Sequence, residues 1–275
     1  MRVANVCKNC ETVFEGKFCN NCGQKHYSEH DKNFGHIVEE ALHFVTHLEG
    51  TLPRTVKTIL LKPGKLSQDY CFGIRKKYYK PISFFLLLVV LYLLFPIFTG
   101  LNQPLAAYNG MPVVGPTFQS QIEAKMSLLH LSFEDFSMEF HHKSEKLSKI
   151  FLFLLIPLTA LPLKLLFFRS KRPLFDHFIM ATELCSFILL VLFLLLPIVI
   201  LPAIRLINVN RIQDDFLLPV AAILIFTFSF IAIKRFYDQK WYWILPKAIL
   251  LTGSVAVLSQ FVYKPLLFEI TMLFL

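Results

Sequence analysis

This sequence is poorest in charge and in glycine. Charged residues make up 17% of it, where a soluble domain carries about a quarter. Ten glycines in 275 residues leave little material for tight ligand-binding loops. No GxSxG, no HExxH and no phosphate-cradling glycine loop occurs, so no motif supports an enzyme. Residues 1–30 hold no apolar h-region, which argues against a secretory signal peptide there. Alternating ten-residue segments are missing too, and that argues against a transmembrane barrel. No internal repeat is visible, and the inverted repeats of transporters would be hard to arrange with five spans.

Hydrophobic residues make up 55% of the chain, and 29 residues are Phe. Charge crowds into residues 1–80 and a few short islands, which is a membrane composition. Five apolar runs stand out, at about 82–99, 150–168, 178–204, 216–233 and 244–262. Each is near the ~20 residues that cross ~30 Å of hydrocarbon. Only helices satisfy their own backbone there, closed barrels apart. The expected fold class is therefore an all-α membrane protein with five transmembrane helices.

The net charge of +9 could suggest nucleic acid, but the placement argues otherwise. Arg75, Lys76, Lys77 and Lys80 abut the first run. Lys164, Arg169, Lys171 and Arg172 follow the second, and Lys234, Arg235, Lys240 and Lys247 flank the fourth and fifth. Flanking cations orient spans in a bilayer. They put the N-terminus in the cytoplasm and, with five spans, the C-terminus on the external side. The loop 100–149 is then external. Residues 100–120 read as irregular turns, and residues 121–148 as an amphipathic helix. Pro197 and Pro202 predict a kinked or tilted third span. The tail 266–275 is too short to cross alone; it either extends the fifth helix past Pro265 or lies along the interface.

Residues 1–25 form a cysteine module. Cys7-x2-Cys10 and Cys19-x2-Cys22-Gly23 are two CxxC knuckles eight residues apart. Four thiolates at this spacing can converge on one tetrahedral Zn²⁺. Two disulfides or a redox CxxC are the alternatives, and a reducing cytoplasm favours metal. The site has no open coordination position, so the zinc is expected to be structural. Cys71 and Cys185 read as small buried side chains.

Residues 26–80 are an amphipathic juxtamembrane connector leading into the membrane domain, 81–275. Phe34, Ile37, Val38, Ala41, Val45 and Leu48 share one helix face; His36, Glu40, His43 and His47 share the opposite one. That second face is either a second metal site or a solvated polar surface. Thr51–Arg54 start a short helix with Val56, Ile59 and Leu60 inward, and Pro63-Gly64 breaks it. Arg75, Lys76 and Lys77 are either interfacial anchors or a contact for lipid or phosphate groups.

The pattern Cys7, Cys10, Cys19, Cys22-Gly23-Gln24 resembles that of an uncharacterised family of bacterial integral membrane proteins, a domain of unknown function with an N-terminal zinc ribbon ending in CGQ. Two further stretches carry the likeness: Thr51-Leu52, Pro63-Gly64, Tyr70, Gly73, Arg75, Tyr78 and Pro81, then Phe175-Asp176-His177-Phe178. The resemblance implies membrane topology and zinc, and no known activity. Where that family tends to carry histidines in span three, this chain has Glu183 and Cys185.

Glu183 lies about five residues into span three. A carboxyl group facing lipid is costly, so it should face the bundle. Asp176 and His177 lie toward the same end, and the three are the best candidates for an intramembrane polar site; the alternative is that Glu183 glues helices together. Two functions follow. One is a non-catalytic adaptor, assembly factor or regulator whose ribbon docks a cytoplasmic or membrane protein partner. The other is a small transporter or channel subunit using Glu183.

Overall fold

The computed structural model describes residues 5–26, 51–94, 102–191, 194–195, 202 and 214–275, with side chains in the last segment described from residue 222. The face holding His36, Glu40, His43 and His47 lies outside the described residues.

The N-terminal module is a two-stranded antiparallel hairpin. β1 (Asn5–Val6) pairs with β2 (Val13–Phe14) in the register Asn5 to Phe14 and Val6 to Val13. Phe18 and Lys25 add an isolated bridge. Its core is Phe14 and the cysteines, too little apolar surface to fold a domain unaided.

After the undescribed stretch come α1 (Thr51–Leu61) and α2 (Lys65–Cys71), joined by a sharp turn at Pro63-Gly64. The sequence announces α1 and its break but not α2, whose seven residues are too few for a periodic signal. Helix α3 (Pro81–Leu94) opens on a proline, which is pre-shaped for a first helical turn. It occupies the described part of the first apolar run.

Residues expected to be irregular turns are partly helical. α4 (Leu105–Asn109) and α5 (Gly115–Leu129) fall in this stretch, with Pro116 in the first turn of α5. Leu105, Tyr108 and Phe118 are buried there, and burial outweighs the turn-like composition. His130 ends α5 in the left-handed conformation at φ 54°. Two residues later Ser132 caps α6 (Phe133–Phe151), accepting from the Asp135 amide at 3.2 Å.

One 3-10 turn (Leu152–Leu154) joins α6 to α7 (Leu155–Leu166). Its cause is legible: Pro157 has no amide for the Phe153 carbonyl, so the ladder tightens just upstream. α8 (Leu174–Ile188) passes into π geometry at residues 189–191. α9 spans Asp214–Tyr237 and α10 spans Trp241–Leu258. A π turn (Ser259–Tyr263) then leads into α11 (Lys264–Phe274). Pro265 leaves the Phe261 carbonyl without its usual partner, in the middle of that turn. The tail therefore extends the fifth helix.

Three described helices are long and apolar enough to cross a membrane: Phe133–Leu166, Leu174–Val191 and Trp241–Phe274. Five were expected. The described part of the first run is the 14-residue α3, residues 95–99 lying outside the described residues, and the fourth run falls in α9. Two of the three are also longer than expected. At 34 residues and 1.5 Å each, they reach about 51 Å, well past the ~30 Å hydrocarbon core.

Helix α8 is the axis. In its most apolar stretch 78% of residues are buried, against 39% and 17% in the other two. It touches α2, α3, α7 and α9. The main core gathers Phe84, Phe85, Leu163, Phe167, Ile179, Met180, Phe236 and their neighbours around it. A second core lies at the far end of the long helices, where α4, α5 and α6 meet α11. There the Phe268 ring lies 4.2 Å from Phe118, 5.0 Å from Tyr108 and 5.7 Å from Phe140. At the opposite end, Trp241, Tyr242 and Trp243 are exposed beside Lys240, the composition of an interfacial belt.

Candidate functional site

The two knuckles fold alike. In the first, the Cys7 amide donates to the Thr12 carbonyl at 2.9 Å and the Glu11 amide to the Cys7 carbonyl at 2.8 Å. In the second, the Cys19 amide donates to Gln24 at 2.8 Å and the Gly23 amide to Cys19 at 2.8 Å. Glu11 and Gly23 fill equivalent positions, both left-handed, at φ 61° and 67°. Only the second carries the residue this geometry favours.

This pairing brings four sulfurs together. Cys7 and Cys22 stand 3.6 Å apart, as do Cys10 and Cys19, and all four ligand atoms lie within 4.8 Å of one another. Sulfurs about 2.3 Å from a tetrahedral metal are separated by about 3.8 Å. No disulfide joins these cysteines, and their arrangement can hold a metal ion. Thr12 beside Cys10 holds its thiol down at about 6, whereas burial pushes Cys7 up to about 11. A bound cation would keep both as thiolates.

The module is seated on the connector by Gln24, a buried residue. Its Nε2 donates to the Gly73 carbonyl at 2.7 Å, and its Oε1 accepts from the Arg75 and Lys76 amides at 3.1 and 3.2 Å. Gly73, at φ 96°, turns the chain so that these groups converge on one amide side chain. Lys76 Nζ donates to the Cys22 carbonyl at 2.6 Å. A Cβ on Gly23 would lie 2.9 Å from that ammonium, so glycine serves both the knuckle and this close approach.

The three basic residues before α3 thus part company. Lys76 closes on the knuckle. Arg75 lies over the Tyr70 ring at 4.7 Å. Lys77 lies over the Tyr78 ring at 5.3 Å and 3.9 Å from Asp69. Asp69 is buried, paired with Lys65 at 2.8 Å, and accepts from the Tyr78 hydroxyl at 2.8 Å. Burial, then this bond, pushes the Tyr78 hydroxyl above its ordinary range.

Glu183 is fully buried and closes on the Pro63-Gly64 turn. Its Oε1 accepts from the Gly64 amide at 2.8 Å; its Oε2 accepts from the Ser67 amide at 2.7 Å and the Ser67 hydroxyl at 2.5 Å. Gly64 is the N-cap of α2, so a carboxyl group from α8 satisfies amides at the start of that helix. Gly64 has φ 78°, and a Cβ there would meet the Ala232 carbonyl at 2.4 Å. Arg235 donates to the Pro63 carbonyl from the other side. The α1–α2 hairpin is therefore clasped between α8 and α9.

Asp176, His177 and Glu183 do not converge on one another. Asp176 pairs with Arg172 at 3.4 Å, and Arg172 also donates to the Phe236 carbonyl at 2.9 Å. His177 Nδ1 lies 2.6 Å from the Tyr237 hydroxyl. The three side chains tie α8 to three different segments. Sequence reasoning assigned no role to two members of the assembly, Gln24 and Ser67. The CGQ pattern pointed at Gln24; no local signal marks Ser67.

A family model described as a protein of unknown function (DUF3667) matches residues 49–93. No curated protein and no solved structure matches the chain. The matched segment runs from α1 through the Pro63-Gly64 turn and α2 into α3, and it contains the receiving side of both the Gln24 and the Glu183 contacts.

Proposed function

We propose that this is a non-catalytic zinc-ribbon protein of the bacterial inner membrane, an adaptor, assembly factor or regulator that docks a cytoplasmic protein partner. Structural Zn²⁺ is the metal held by Cys7, Cys10, Cys19 and Cys22, since an all-sulfur tetrahedral set suits it. The basic flanks support a cytoplasmic N-terminus. The reading is carried by the way the ribbon is seated: Gln24 fixes its orientation on the connector, while Val6 and Val13, partners across the hairpin, are each 62% exposed. A module that only had to fold would need no such seat; one that presents a surface does.

The test is photo-crosslinking from position 13 in native membranes, with and without Val6→Asp. Specific adducts that disappear in the variant are expected. An identical set of adducts in both counts against docking by this face. The transporter reading rests on Glu183, whose oxygens are already taken by Gly64 and Ser67. Solute flux in proteoliposomes that vanishes in Glu183→Gln, with the fold intact, would revive it.

A further inference from the structure

A cleft of about 530 Å³ opens where the cysteine module meets the connector, lined by Asn9, Cys22, Arg54, Lys76 and Lys77. Its cations come from two places, Arg54 from α1 and the two lysines from the turn before α3. Cys22 and Asn9 supply the opposite wall. Asp69, 3.9 Å from Lys77, is buried and already held by Lys65 at 2.8 Å. Lys76 lies on the Cys22 knuckle, where its ammonium offsets the negative charge that four thiolates leave around a divalent ion. Arg54 and Lys77 remain to face the cleft from either side. Lys77 is 44% exposed, and Arg54 is exposed as well. The cleft also stands four residues from Pro81, where the apolar α3 begins. With α3 entering the bilayer at Pro81, the cleft would lie level with phospholipid head groups.

We infer that this cleft binds a phosphate-ester anion, held by Arg54 and Lys77 with Asn9 as a neutral donor. It is a composite site: the module contributes one wall, so the cleft exists only while Gln24 keeps the module seated. Arg75, adjacent in sequence to the two lysines, takes no part because it is turned onto Tyr70. The phosphate can belong to an anionic lipid or to a soluble ester; the chemistry is the same. The inference goes beyond the docking proposal and does not require a protein partner.

The experiment is native mass spectrometry of the full-length, metal-loaded protein in detergent, titrated with phosphatidylglycerol or phosphatidylcholine. Phosphatidylglycerol should bind in preference. Arg54→Gln and Lys77→Gln should each weaken it about fivefold, the effect of one cation near a lipid surface. Gln24→Ala should weaken it as well, although it removes no charge. Lys125→Gln, on the far helix α5, should leave it unchanged. Competition by millimolar inorganic phosphate would identify a soluble ester as the ligand; binding that persists in its presence would identify the lipid. The inference falls if the Arg54→Gln/Lys77→Gln double variant, with an unshifted melting temperature, binds phosphatidylglycerol like the parent. It falls equally if Lys125→Gln costs as much as Lys77→Gln.

Discussion

The two ends of this molecule are held by opposite means. At the ribbon end a few directional polar groups do the work: four sulfurs, the Gln24 amide, the Glu183 carboxyl and the Arg235 guanidinium. At the far end Tyr108, Phe118, Phe140 and Phe268 pack ring against ring, with Lys143 reaching the Phe274 carbonyl at 2.7 Å. Directional bonds fix orientation but fail when one atom is removed. Ring packing spreads its energy over many weak contacts and tolerates swaps that conserve volume. The contrast predicts a brittle ribbon end and a forgiving cap.

The largest effect should come from the metal. A structural zinc in comparable peptides contributes about 10–16 kcal/mol of folding free energy. Chelation should therefore expose residues 5–26 to trypsin while the helix Phe133–Leu166 stays protected, as read by limited proteolysis and mass spectrometry. A protected module after complete chelation would refute its dependence on metal. Next comes the centre of the cap. Phe268→Ala should lower stability by about 3–5 kcal/mol, and Phe268→Leu by about 1.5 kcal/mol or less, in thermal unfolding in detergent. Equal losses would mean the cap is not forgiving.

Two glycines sharpen the comparison within the ribbon end. Gly64→Ala meets both an adverse φ and the Ala232 carbonyl, and should cost about 3 kcal/mol or more. Gly16→Ala has an adverse φ of 97° but open space around it, and should cost about 1 kcal/mol. Similar melting points would show that the hairpin is not pressed against α9. Glu183→Gln presents an NH2 group to amide donors, and one mismatched buried pair costs about 1–3 kcal/mol. Hydrogen exchange at the Gly64 and Ser67 amides should rise in this variant; unchanged protection would argue that the clasp is unimportant. The smallest effect is a gain. Glu11→Gly relieves the left-handed strain in the first knuckle and should stabilise the metal-bound module by up to about 1 kcal/mol, seen as slower metal release to a chelator. Faster release would mean that the Glu11 side chain matters more than its backbone.

The sequence made the cysteine cluster legible because ligand spacing is local. It made the apolar helices legible because composition over twenty residues is enough. It announced the Pro63-Gly64 break for the same reason. Contacts between distant segments stayed hidden. Glu183 could be read as a buried carboxyl seeking partners, yet its partners lie 116 and 119 residues away, and no periodicity encodes that. The cap was misread in part because residues 105–120 have turn-like composition. Their helices depend on burying Tyr108 and Phe118 against α11, which lies at the other end of the chain. The different surroundings of Arg75, Lys76 and Lys77 stayed hidden for a simpler reason: adjacent residues in a turn point in different directions.

Gln24 carries no charge, and that has a consequence for how the ribbon seat behaves in different ionic strengths. Coulombic ties between exposed groups are screened by salt, with a Debye length of about 8 Å at physiological ionic strength; the three neutral hydrogen bonds of the buried Gln24 side chain are not. The angle at which the ribbon leaves the connector should thus be constant from dilute buffer to half-molar chloride. Whatever a change in salt does to the basic groups nearby, it will act on ligands and not on the mounting.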